Sequence, residues 1–113
     1  MAHHEQRASP RVAVAVDVHL GRRVGNDVIV RTDELSEDGA RVVSRRPLRI
    51  DEKLNFDLDL PGGGEHLSGV ARVVRQHRRD VYALRFEQVS PASQRLLHAF
   101  MAVRAAEAVH RSP

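Results

Sequence analysis

Cysteine and tryptophan are both missing from this chain of 113 residues. Without cysteine there is no disulfide, no thiolate metal site and no sulfur nucleophile. Aromatic residues are scarce, with three phenylalanines and one tyrosine, so little is available to stack on the bases of a single strand. No apolar run approaches the roughly 18 residues that a membrane-spanning helix needs. The opening Met-Ala-His-His-Glu-Gln-Arg has no apolar stretch and does not read as a signal peptide. A bacterial-type cytoplasmic setting therefore fits. Lysine is nearly absent too, Lys53 being the single one among 18 basic residues. Arginine offers a planar fork suited to phosphate, carboxylate and stacked bases. A global excess of it also arises from biased codon usage, and it names no site. The 15 acidic residues are interspersed and hold the net charge to +3, unlike a uniformly basic surface made for nucleic acid.

What is present reads as one small domain. Residues 1–10 are polar and aperiodic, a flexible arm. From Arg11 onward Val12, Val14, Val16, Val18 and Leu20 alternate with smaller or polar residues, a strand with one buried face. Gly21 to Asn26 reads as a turn and Asp27 to Thr32 as a second strand. A polar loop, Asp33 to Gly39, then leads into Ala40 to Ser44. Leu54, Phe56, Leu58 and Leu60 alternate with Asn55, Asp57 and Asp59, and Pro61 with three glycines ends that strand. Leu67–His77 and Val81–Gln88, joined by Arg78-Arg79-Asp80, form a hairpin in which Tyr82, Leu84 and Phe86 share a face. Ser90 is a good helix cap and Pro91 a favoured first helical residue. Beyond them Leu96, Leu97, Phe100, Met101 and Val103 keep helical spacing. The expected architecture is mostly β: about six antiparallel strands in a closed barrel, followed by one α-helix. The barrel and helix fill residues 11–103, with residues 104–113 fraying.

Nothing in this pattern supports turnover. There is no phosphate loop with Lys and Ser or Thr, no Gly-x-Ser-x-Gly and no His-Glu-x-x-His. The seven histidines (His3, His4, His19, His66, His77, His98, His110) lack ligand spacing and read as structural or solvated. The glycine run after Pro61 joins two strands and opens no helix, so it captures no anion through a helix dipole. The expectation is no catalysis, no metal and no cofactor.

Two segments carry chemistry together. The first is Arg7-Ala8-Ser9-Pro10-Arg11, two arginines four apart just before strand one. The second is Glu34-Leu35-Ser36-Glu37-Asp38-Gly39-Ala40. Alone, the arginines are ordinary surface residues near a terminus and Ser36 to Gly39 an ordinary turn. Jointly, an arm bearing two arginines beside a carboxylate, a hydroxyl and a glycine matches the acceptor, donor and anionic parts of a guanine nucleotide.

The pair resembles the signature of the PilZ domain family, Arg-x-x-x-Arg before the first strand and (Asp/Asn)-x-Ser-x-x-Gly after the second. Gly69-Val70-Ala71-Arg72-Val73-Val74, Leu84-Arg85-Phe86 and the closing helix are similar as well, so the resemblance runs from Arg7 to about Val103. It implies a six-stranded antiparallel barrel that binds cyclic di-GMP and relays its level to a protein partner. Arg7 and Arg11 would clamp phosphates and guanine acceptor edges. Position 34 would meet a guanine donor edge, Ser36 would add a hydroxyl hydrogen bond, and Gly39 would permit the sharp turn and close approach of the ligand. Two positions depart from the family's pattern: Glu34 stands where Asp or Asn is usual, and Ala83 where a glycine is frequent. In an extended loop Asp33 points away from Glu34, so it does not replace that acid.

Three functions stay open at this point. The first is a cyclic di-GMP receptor. The second is a degenerate adaptor that binds protein partners without nucleotide. The third, least favoured, is a small basic barrel on nucleic acid, with Arg41, Arg45, Arg46 and Arg49 or Arg72, Arg75, Arg78 and Arg79 as its patch.

Overall fold

The computed structural model describes residues 10–62 and 65–111, with side chains described through residue 107. Arg7 and most of the arm lie outside these residues. Six strands, β1 (Asp17–Arg22), β2 (Val28–Leu35), β3 (Gly39–Val43), β4 (Lys53–Asp59), β5 (His66–Arg78) and β6 (Val81–Val89), precede one helix, α1 (Pro91–Arg111). They close into an antiparallel barrel in the order β1-β2-β3-β6-β5-β4, the expected architecture. Closure leaves no unpaired edge.

Alternation explains the interior. Leu54, Phe56 and Leu58 of β4 point inward with Val18, Leu20, Leu35, Val42, Val73 and Leu84. Phe56 stacks on the half-buried Phe86 with ring centroids 4.7 Å apart. Ser90 caps the helix, its Oγ accepting from the Ser93 N–H at 3.1 Å. Leu97 and Met101 seal one side of the barrel, whereas Val103 is exposed. The helix itself continues to Arg111.

The first strand departs from its sequence pattern. The ladder starts only at Asp17; before it, Val12 makes an isolated bridge to Leu35. The reason is Thr32, whose buried hydroxyl donates to the Val14 carbonyl at 2.6 Å and accepts from the Val16 N–H at 2.9 Å. A side chain thus replaces part of the ladder. The turn is also shorter than expected, because Gly21 and Arg22 pair with Asn55 and Leu54 of β4. Finally, Asp33, Glu34 and Leu35 belong to β2 rather than to a loop.

Candidate ligand-binding groove

The β2–β3 turn is built by its own side chain. Ser36 is buried, and its Oγ accepts from the Asp38 and Gly39 N–H groups at 3.1 and 3.2 Å and donates to the Gly39 carbonyl at 3.3 Å. The Asp38 carbonyl then accepts from the Phe86 N–H at 2.8 Å, which pins the turn to β6. The hydroxyl expected to meet ligand therefore organises the turn. At Gly39 the fold itself requires glycine: a Cβ there would fall 2.0 Å from the Leu84 carbonyl oxygen. Its missing side chain serves the approach of β3 to β6.

Upstream, the register shifts between Thr32 and Glu34. This bulge breaks the alternation, so Asp33 and Glu34 reach the same guanidinium. Arg41 Nε donates to Asp33 Oδ1 at 2.9 Å, and its Nη2 lies 3.7 Å from Glu34 Oε2. The expectation that Asp33 points away from Glu34 fails for that reason. The Asp33 hydrogen bond, then the charges of Asp33 and Glu34, raise the Arg41 pKa above its ordinary value.

Arg11 completes the arrangement from the chain preceding β1. The neighbouring Val12 exchanges two backbone hydrogen bonds of 2.9 Å with Leu35, so the root of the arm is tied to the end of β2. From there Arg11 Nη1 approaches Glu34 Oε1 to 3.8 Å. Glu34 thus stands between two guanidinium groups.

Arg11, Glu34, Ser36 and Gly39 line one open groove of 410 Å³, within the range of roughly 300–1,000 Å³ common for small-molecule sites. Sequence reading brought these four together; Arg7 lies outside the described residues. It missed Arg75, His77 and Arg85, which also line the groove, and it assigned Arg41 and Arg75 to rival basic patches. No local signal marks these residues. They reach the groove because β3 pairs with β6, setting Gly39 opposite Arg85, and β6 with β5, setting Ala83 opposite Arg75. Ala83, the second departure from the family pattern, lies on the groove wall. Of the two sequence blocks weighed as a nucleic-acid patch, Arg41 pairs with Asp33 and Arg72 with Glu87. Among the described residues no cluster of three or more His, Asp or Glu side chains is arranged to hold a metal ion.

Comparison with known proteins agrees with this layout. The barrel superposes on YcgR from Escherichia coli, solved in complex with c-di-GMP, with a TM-score of 0.79 at 17% identity over 94% of this chain and 49% of that one. The inhibitor of motility MotI/DgrA from Bacillus subtilis gives 0.78 at 18% identity, over 90% of this chain and 52% of that one. This chain thus spans about half the length of each. The PilZ domain of CeSA from a cellulose-synthesizing bacterium gives 0.64 at 20% identity, over 82% of this chain and 99% of that domain. No curated protein matches the chain. The model of the PilZ domain matches residues 5–102, nearly the whole span of arm, barrel and helix, and the chain belongs to the PilZ domain family.

Proposed function

We propose that this chain is a cyclic di-GMP receptor domain that acts by binding, without turnover, and passes the state of its groove to a protein partner. The observation that carries this reading is the meeting of Arg11, Glu34 and Arg41 in one groove beside Arg75 and Arg85. A guanine presents acceptors at O6 and N7, which an arginine fork satisfies, and donors at N1 and N2, which a carboxylate satisfies. The phosphates of a cyclic dinucleotide take the remaining arginines. Arg7, seven residues into the sequence and four before Arg11, supplies a second guanidinium from the arm. Membership of the PilZ family and the c-di-GMP with which YcgR was solved support the same ligand.

One observation favours a second reading, a protein adaptor that needs no nucleotide. Glu34 already balances Arg11 and Arg41, so a ligand must displace internal ion pairs. Calorimetric titration of the purified chain with cyclic di-GMP separates the two. Saturable binding abolished by Arg11→Ala supports the receptor. No binding at millimolar nucleotide would leave the adaptor.

A further inference from the structure

The described arginines fall into two populations. Arg11, Arg22, Arg31, Arg41, Arg72 and Arg85 each meet a carboxylate within 4 Å. The other nine arginines with described side chains meet none among the described residues, and of these Arg45, Arg46, Arg78 and Arg79 are all exposed. These four gather at one end of the barrel, where the β3–β4 connection meets the tip of the β5–β6 hairpin.

Backbone and buried groups hold the two segments together. The Ser44 N–H donates to the Asp80 carbonyl at 2.8 Å, and the Ser44 hydroxyl donates to the Arg46 carbonyl at 2.6 Å. The Leu48 N–H donates to the buried Tyr82 hydroxyl at 3.2 Å, and Gln76 Nε2 donates to the Arg79 carbonyl at 2.9 Å. The four guanidinium groups therefore project from fixed backbone. Residues 44–50 and 76–80 carry five arginines and a single carboxylate, Asp80, whereas the whole chain has a net charge of only +3. Outside this pole the protein is net acidic, so the field is directional. Two aliphatic side chains border it: Val43 at the end of β3, 41% exposed, and Ile50, 50% exposed.

We infer that this pole is a docking surface for an acidic segment of a protein partner, one carrying aliphatic side chains among its carboxylates. Guanidinium forks match carboxylates in bidentate geometry, and like charges held rigidly together gain most from a ligand of opposite charge. Val43 and Ile50 give the aliphatic side chains something to cover, which a sugar–phosphate backbone does not offer. A single-stranded nucleic acid also wants stacking rings, and Phe56 and Tyr82 are buried in the barrel. The inference rests on the relay reading above, since it names the surface offered to the partner. Arg45, Arg46, Arg78 and Arg79 do not line the groove that holds Arg11 and Glu34, so this surface can be tested without nucleotide.

The experiment titrates the nucleotide-free full chain with a synthetic peptide of alternating Glu and Leu. A single-stranded oligonucleotide of equal charge and phosphatidylglycerol vesicles are run in parallel under one salt condition. The expected result is peptide binding that Arg45→Ala/Arg46→Ala/Arg78→Ala/Arg79→Ala weakens at least tenfold, with Arg23→Ala/Arg95→Ala leaving it unchanged. The same four positions changed to Lys keep the charge and lose the fork, so an intermediate loss with an unaltered melting curve is expected. Absence of peptide binding, tighter binding of the oligonucleotide or vesicles, or equal loss in the Arg23→Ala/Arg95→Ala control would overturn the inference. Peptide binding that persists in a protein unable to bind cyclic di-GMP would overturn only the nucleotide reading.

Discussion

Gly39 of β3 and Leu84 of β6 approach so closely that a Cβ on residue 39 would sit 2.0 Å from the Leu84 carbonyl oxygen. Both sides of that contact are strand backbone, which cannot swing away as a side chain would. Gly39→Ala is therefore expected to destabilise the barrel by about 1–3 kcal/mol, the range for overpacking. Thermal melting in the absence of nucleotide measures it. An unchanged melting temperature together with lost nucleotide affinity would return Gly39 to the role of making room for ligand.

Phe56 fills the barrel beneath Gly69, whose own Cβ would fall 2.9 Å from the Phe56 ring, and stacks on Phe86. Removing the ring leaves a cavity that backbone pairing on both sides of β4 keeps open. Phe56→Ala is expected to cost about 3–5 kcal/mol. Urea denaturation gives the number, and a loss below about 1 kcal/mol would contradict the packing described.

Arg22 and Glu52 form the least exposed ion pair described, 14% of each side chain reaching water. Arg22 donates from Nε and Nη2 to the two carboxylate oxygens at 2.7 and 2.8 Å, and the Arg49 N–H adds a bond of 3.0 Å. Burial pushes the Glu52 carboxyl up, but the hydrogen bonds from Arg22 and Arg49 outweigh it and hold the pKa below the ordinary 4.5. The folded state thus binds this proton less readily than the unfolded chain. The resulting stability is complete above the unfolded-state value and is lost as pH falls through the folded one. Glu52→Gln is expected to cost about 1.5 kcal/mol at neutral pH, the low end for a hydrogen bond to a charged group. Denaturation curves across the acid range should converge for the two proteins below pH 4.5. A constant gap would mean that Glu52 contributes only through packing.

Arg7→Ala and Arg11→Ala are each expected to weaken cyclic di-GMP binding by about 1.5–3 kcal/mol, with little change in melting temperature. Arg11 is mostly exposed, so its loss removes little packing. A large fall in melting temperature at unchanged affinity would make these arginines structural.

Glu34→Asp shortens the carboxylate that stands between Arg11 and Arg41, and Asp33 still holds Arg41. Both guanidinium groups then become easier for a ligand to engage, and the guanine donor edge meets an acid of the family's usual length. The expected outcome is affinity for cyclic di-GMP higher by roughly ten- to a hundredfold, the equivalent of one recovered charge-assisted hydrogen bond. Titration of both proteins at one salt concentration checks it. Weaker binding by the variant would show that the groove is shaped around Glu34.

Period-two alternation in Leu54–Leu60 and Tyr82–Phe86, the Ser90-Pro91 cap and the spacing of Leu97 and Met101 were legible in the sequence. Each is a local consequence of burying one face of a strand or helix. Arg11, Glu34, Ser36 and Gly39 were legible as two short motifs whose residue types and order resemble the family signature. The strand order around the barrel, the β5–β6 side of the groove and the arginine pole were not. They depend on β3 lying against β6 and β1 against β4, pairings between segments distant along the chain, and no residue announces its cross-strand neighbour. The same holds for the bulge at Asp33 and for the Thr32 hydroxyl that interrupts the first ladder. Alternation determined which residues turn inward; the register between distant strands decided which outward-facing residues meet, because hydrogen-bond pairing, and not sequence proximity, sets those neighbours.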